Sequence, residues 1–219
     1  MESVLMVVGL YTESVVVQDV YQISLERPDS VWKVGRMPTD LGSGAAGCVM
    51  GDTLYAVGIG HAYNELWKWN EASDWTRCAV MTSYIRYHCV AVVDSLRYTL
   101  GGWNGTMLSS VEAYNTQTNK WSAAGQVTHA VSSAACVSYN NSIYVFGGYN
   151  ALGYPPADVQ VYDAAQQKCT LLHNAMPRAY AGMRAVVWET YAILLGRHTC
   201  FIYNFELCNG WKESRSRQM

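Results

Sequence analysis

The sequence predicts an all-β protein of repeated four-stranded units, the pattern of a β-propeller, and three marks on one period predict it. The first is a glycine closing an apolar run at Gly9, Gly58, Gly101 and Gly147, at intervals of 49, 43 and 46 residues. The second is a tryptophan at Trp32, Trp75 and Trp121, at intervals of 43 and 46, whose register continues to Cys169 and Trp211. The third is a strand with an aromatic residue ahead of Asn or Asp, read as V-E-A-Y-N at 111–115 and V-Q-V-Y-D at 159–163. L-W-K-W-N at 66–70 and F-I-Y-N at 201–204 are variants of it. Four-strand repeats of this period belong to propeller blades rather than helical solenoids. Helix caps and 3.6-residue apolar stripes are absent.

Each unit reads in the same order. A small-residue strand such as A-A-G-C-V-M or S-A-A-C-V-S comes first, followed by a G-D or N-N turn and a run such as L-Y-A-V-G or I-Y-V-F-G-G. After a loop comes the strand with Tyr before Asn, then a polar turn such as T-Q-T-N-K and a last strand opening on Trp. The units fall at about 1–40, 41–83, 84–128, 129–176 and 177–212, with a polar tail at 213–219. Unit one starts directly on V-L-M-V-V-G and lacks the opening strand. The glycine doublet is predicted to mark a sharp turn where neighbouring strands crowd, since glycine accepts such dihedrals freely.

Composition agrees with a compact β body. Half of the 219 residues are hydrophobic, 15% are charged, and Tyr (16) and Trp (8) are abundant. That is enough apolar surface for a sizeable core. A net charge of −2 leaves no basic footprint for nucleic acid. No apolar run approaches the length of a membrane span, and M-E-S-V-L-M-V-V-G lacks the basic region of a signal peptide. Seven cysteines without a C-x-x-C pair read as small core residues of a reduced, cytoplasmic protein.

The doublet Gly147-Gly148, the Tyr162 to Cys169 spacing and Trp121 seven residues after Tyr114 resemble kelch repeats. The resemblance is closest to the C-terminal propellers of kelch-like proteins, which join this domain to BTB and BACK domains. R-A-Y-A-G-M-R at 178–184 resembles that family's R-S-G-x-G entry strand, and M-P at 37–38 and 176–177 resembles its ending of the Trp strand. The likeness runs from about residue 4 to 212 and is sharpest in units three and four. The second glycine is replaced by Leu10 and Ile59 in units one and two, and unit five carries Leu194-Leu195 at the doublet. Family propellers usually have six blades, which at this period need roughly 275 residues. The sequence therefore reads either as a five-bladed ring with a three-stranded first blade or as a fragment of a larger propeller. The fragment is the favoured expectation, because an unclosed ring exposes sheet edges and apolar surface.

By that resemblance the chain is a non-catalytic protein-interaction propeller, the substrate-recognition part of a cullin-3 ubiquitin-ligase adaptor. Cullin-3 contact would lie in the BTB and BACK segments. A cytoskeletal, actin-binding scaffold is the alternative, and a propeller-fold enzyme of oxidase or sialidase type is weaker. The resemblance places client binding at one mouth of the ring, on residues just past the doublet and just before each first strand. The first set is Tyr11, Trp103, Asn104, Tyr149 and Asn150, with His61 and Arg197 nearby. The second is Ser43, Arg86, Tyr87, Arg178, His129 and Ser132. Aromatic anchors and Arg donors suit a peptide partner. The bland alternative is that the Tyr and Trp residues pack blade against blade.

Other motifs point away from chemistry. G-S-G-A-A-G at 42–47 matches a dinucleotide fingerprint, but M-P-T-D-L precedes it and a hairpin pattern follows, so no helix N-terminus is expected to receive a phosphate. His61, His88, His129, His173 and His198 never fall at metal spacing, so neither a metal nor a cofactor is expected. Lys212, Arg215 and Arg217 read as a solvated terminus.

Overall fold

The computed structural model describes residues 4–11, 16–24, 29–37, 44–60, 62–173, 175–207 and 210–213. They form two compact units, Met1–Tyr84 and Ile85–Met219. Every regular element among them is a strand, and no helix is long and apolar enough to cross a membrane.

Unit 1 holds two antiparallel sheets. The first has three strands, β1 (Val4–Tyr11), β2 (Val16–Ser24) and β3 (Val31–Arg36), in chain order. The second has four, β4 (Ala46–Met50), β5 (Thr53–Ile59), β6 (Glu65–Trp69) and β7 (Thr76–Arg77). Val20, Met37, Leu54, Ala56, Ile59 and Trp69 form the buried core of this unit. Gly44, at φ 89°, leads straight into the β4–β5 hairpin that carries Gly47, so a strand and no helix follows there, while Gly42 lies outside the described residues.

Unit 2 repeats one sheet three times. The strands are β8 (Cys89–Val93), β9 (Leu96–Leu100), β10 (Ser110–Asn115) and β11 (Lys120–Gln126); then β12 (Ala135–Tyr139), β13 (Ser142–Phe146), β14 (Val159–Asp163) and β15 (Lys168–Leu171); then β16 (Arg184–Trp188), β17 (Tyr191–Gly196), β18 (Thr199–Asn204) and β19 (Trp211–Glu213). Each set is a four-stranded antiparallel meander. Successive sheets stack by one rule. Cys89, Ala91, Val93, Tyr98, Leu100 and Val111 on the β8–β11 sheet pack with Ile143, Val145 and Tyr162 of the next. The far face of that next sheet then presents Ala135, Val137, Phe146 and Val159 to Ala192, Leu194, Phe201 and Tyr203 of the third. Strand alternation makes this work, because side chains two apart share a face. Two thiols reinforce the first interface. Cys89 donates to the Ala134 carbonyl and Cys136 donates back to the Val90 carbonyl, each at 3.3 Å.

The sequence marks now have physical causes. Tyr114 stands opposite Trp121, Tyr162 opposite Cys169 and Tyr203 opposite Trp211, so the aromatic and the Trp position are cross-strand partners. The Tyr114–Trp121 and Tyr203–Trp211 ring centroids lie 5.2 and 5.0 Å apart, within the range where rings attract. The Asn or Asp after the aromatic shapes the following turn. Asn115 Oδ1 accepts from the amides of Gln117 and Thr118, and Asp163 Oδ1 accepts from those of Ala165 and Gln166. Asn70 does the same for Ala72 and Ser73. These are Asx turns, for which the short polar side chain is suited. Asn140 and Asn141, both at positive φ (46° and 59°), make the β12–β13 turn a twist-matched hairpin.

The glycine count sets how each second strand ends. With both glycines, β9 and β13 stop and a long loop follows. With Gly58 alone, β5 continues through a register shift between Val57 and Ile59. With neither, β17 runs on to Gly196 and turns at Arg197 and His198 into β18.

Candidate protein-interaction site

At one end of the unit 2 sheets, the first strands begin and the second strands finish. The two sequence-predicted sets meet there as main-chain pairs. Arg86 and Trp103 exchange amide–carbonyl bonds of 3.0 and 2.7 Å, and Ser132 and Tyr149 exchange bonds of the same lengths. One partner of each pair precedes a first strand, and the other follows a doublet. The Arg86 guanidinium carbon lies 4.9 Å from the Trp103 ring centroid and 5.8 Å from that of Tyr87. This cation–π packing orients the planar head of Arg86.

Consecutive sheets are stitched at the same end. The Ser133 amide donates to the Tyr87 carbonyl at 2.7 Å, and the Gly182 amide donates to the Ser133 carbonyl at 2.8 Å. All three residues hold positive φ, at 56°, 53° and 73°. Such a backbone is uncommon outside glycine and persists only where the surroundings hold it. The second glycine of each doublet adds another stitch, Gly102 to the Val131 carbonyl and Gly148 to the Tyr180 carbonyl. A Cβ on Gly148 would sit 2.6 Å from the Ser132 carbonyl oxygen, and one on Gly102 2.9 Å from that of Arg86. The crowding that demands glycine therefore comes from the lead-in segments, from their side chains (Val131 at 2.5 Å from a Cβ on Gly148, Ile85 at 2.6 Å from one on Gly102) as well as from their main-chain oxygens.

The remaining predicted residues are distributed around these pairs. Asn150 builds its own loop, its Oδ1 accepting from the amides of Leu152 and Tyr154 at 3.0 and 3.1 Å. Leu152 and Tyr154 are thereby held largely exposed beside the exposed Tyr149. Sequence reading passed over both, although the turn residues around them were a usable signal. His129 is exposed, with Nδ1 2.8 Å from Asp158 Oδ2. Its main chain is clamped by the buried Gln160 side chain, which accepts from the His129 amide and donates to its carbonyl. Asn104, Arg178 and Arg197 are exposed, whereas the Ser132 side chain is buried. Counting from the Tyr87–Ser133–Gly182 stitch, Ala181 is the counterpart of Arg86 and Ser132, and Arg178 that of His129. Tyr11 ends β1 opposite Val16 in unit 1. Ser43 and His61 lie outside the described residues.

Beneath the Gly101-Gly102 doublet lies His88, whose ring nitrogens have no hydrogen-bond partner. Burial lowers its pKa from 6.5 to about 4, so the ring is neutral at neutral pH. Among the described residues no three His, Cys, Asp or Glu side chains lie close enough to hold a metal ion.

Comparison with known proteins accounts for this repeating geometry. A Kelch motif model matches residues 85–126 and 130–172, the segments that carry the first two sheets of unit 2. This is a kelch-repeat protein. Human Kelch repeat and BTB domain-containing protein 4 is 33% identical over 161 residues, covering 68% of this chain and 29% of that protein. Mouse Kelch-like protein 35 is 27% identical over 173 residues, covering 77% of this chain and 30% of that protein. The kelch chain thus spans about 30% of the length of such relatives. The solved structure of YjhT matches with a TM-score of 0.71 at 18% identity, over 82% of this chain and 67% of that one. The fold is a kelch-type β-propeller, and its sheets are kelch blades.

Proposed function

We propose that this kelch chain recognises a protein client at the end of its blades where Arg86, Tyr87, Trp103 and Tyr149 gather, and that it does so without catalysis. The observation that carries the reading is Arg86 held over the Trp103 ring at 4.9 Å. A guanidinium so oriented can receive a carboxylate in bidentate fashion, and the flanking rings offer apolar contact at low entropic cost. Loops on a rigid scaffold are a usual place for recognition. Relatives that carry BTB domains in their names support a role as the client-recognition part of a cullin-3 ubiquitin-ligase adaptor. The six described cysteines are free thiols, in keeping with a reducing, cytoplasmic setting.

The test is capture of partners from cell lysate by the wild-type chain and by an Arg86→Ala, Arg178→Ala variant of equal thermal stability. Loss of a specific client from the variant is expected. An unchanged set of partners would overturn the assignment of the binding end. Whether cullin-3 co-purifies with the protein expressed from its own gene tests the ligase arm separately.

A further inference from the structure

The loop between β9 and β10 carries Asn104 and Gly105 at its tip. Its base is clamped, since Trp103 bridges to Met107 and the Leu108 amide donates to the Gly102 carbonyl at 2.9 Å. Within the tip the Asn104 amide donates to the Thr106 carbonyl at 3.2 Å, and the Thr106 hydroxyl donates to Asn104 Oδ1 at 3.4 Å. Asn104, Gly105 and Thr106 are all exposed. Gly105 has φ 115°, and no atom beyond its chain neighbours lies within 4 Å of where a Cβ would stand, so its amide nitrogen is open to approach. Among the described residues no acceptor takes that N–H. Other turn asparagines are held differently. Asn70, Asn115, Asn150 and Asn204 each lock Oδ1 onto a main-chain amide two residues on, and a residue with a side chain follows each of them. A second Asn-Gly pair in the sequence begins at Asn209, outside the described residues.

We propose that Asn104 and Gly105 form a self-modification site that retires the interaction end with age, by turning the Asn104 amide into a carboxylate next to the Arg86–Trp103 pair. The chemistry needs only water. A solvent base removes the Gly105 amide proton, the nitrogen attacks Asn104 Cγ, and the N–Cγ bond forms as the Cγ–Nδ2 bond breaks. Nδ2 leaves as ammonia with a proton from solvent. Water then opens the cyclic imide at either carbonyl, giving Asp when Cγ is attacked and isoAsp when the main-chain carbon is. Nothing is oxidised or reduced. The bare glycine removes the side chain that would hinder ring closure, and the Thr106 hydroxyl on Oδ1 makes Cγ more electrophilic. The product is an anion directly after Trp103, whose ring lies 4.9 Å from the Arg86 guanidinium carbon. Arg86 is always charged, so the new carboxylate competes for the guanidinium with any carboxylate of a client. That effect rests on the client reading of this end, whereas the conversion itself does not.

The experiment ages the full chain in mildly alkaline buffer at body temperature and maps it by peptide mass spectrometry. IsoAsp is read separately by labelling with an isoaspartate-specific methyltransferase. Conversion at position 104 is expected to run several-fold ahead of Asn70, Asn115, Asn150 and Asn204, and Asn104→Gln should abolish it, because the longer side chain closes a larger and slower ring. In nitrogen-labelled protein the Arg86 Nε–H resonance, identified by its loss in Arg86→Ala, should shift alike in aged wild type and in fresh Asn104→Asp. Both should lose the lysate proteins that Arg86→Ala loses, while aged and fresh Asn104→Gln should retain one and the same set. No conversion at 104, conversion no faster than at the other asparagines, or an Arg86 resonance that Asn104→Asp leaves in place would overturn the proposal. If Arg86→Ala loses no partner while the conversion and the shift both occur, the client reading fails and the modification site stands.

Discussion

The Ser133 amide donates to the carbonyl of Tyr87, 46 positions earlier, and both residues hold a left-handed backbone. A non-glycine residue in that region costs about 1–2 kcal/mol, and a β-branched one costs more. Ser133→Gly is therefore expected to be neutral or mildly stabilising, and Ser133→Val to lower the unfolding free energy by about 1–3 kcal/mol. Equilibrium urea unfolding distinguishes them, and equal effects would sink the strain account.

The second doublet glycine allows a sharper contrast. Gly148 has φ 95° with the Ser132 carbonyl in the way of any Cβ, whereas Gly153 has φ 78° and open space around it. Gly153→Ala should cost only the left-handed conformation, about 1–2 kcal/mol. Gly148→Ala adds a clash with main chain and should cost clearly more, about 3 kcal/mol or above.

His88 makes stability depend on pH in a defined direction. Its pKa lies near 4 in the folded chain because burial disfavours the charged ring, against 6.5 when solvated. Above pH 6.5 both states are neutral and the residue contributes no slope. As pH falls from 6.5 toward 4 the unfolded chain takes up the proton first, so stability drops by about 3 kcal/mol across that window and then levels. A His88→Leu variant should lack this component of the slope. An identical profile in wild type and variant would show that other groups govern the acid limb.

Phe146 and Leu195 occupy the same strand position in consecutive blades, one fully buried and one half-exposed. Phe146→Ala should cost about 3–5 kcal/mol. Leu195→Ala should fall within about 0.5 kcal/mol of wild type. Chemical denaturation of the two variants measures both.

The blades were legible in the sequence because their marks are side chains with cross-strand jobs. Tyr114 and Trp121 must touch, and Asn115 must accept two amides, so the residue types recur at fixed spacing. Much of the candidate site was legible as a place but not as an arrangement. Arg86 and Trp103 were both on the page, yet their pairing is made by main chain and leaves no trace in composition. Arg178 matches its motif by residue type, while the stitch through Ser133 and Gly182 puts Ala181 at the position of Arg86. The hold of Gln160 on His129 joins residues 31 apart and depends on burial, which a single sequence does not display.

The main chains of the pairs Arg86–Trp103 and Ser132–Tyr149 are joined by amide–carbonyl bonds. At the half-buried or exposed Arg86, Trp103 and Tyr149 any residue with a free N–H keeps the main-chain bond, whereas the buried Ser132 takes only a small side chain. The end of the propeller is thus a socket with a fixed frame and exchangeable teeth. A lineage can rewrite what the chain grips, one side chain at a time, while the main-chain frame that holds those side chains is kept.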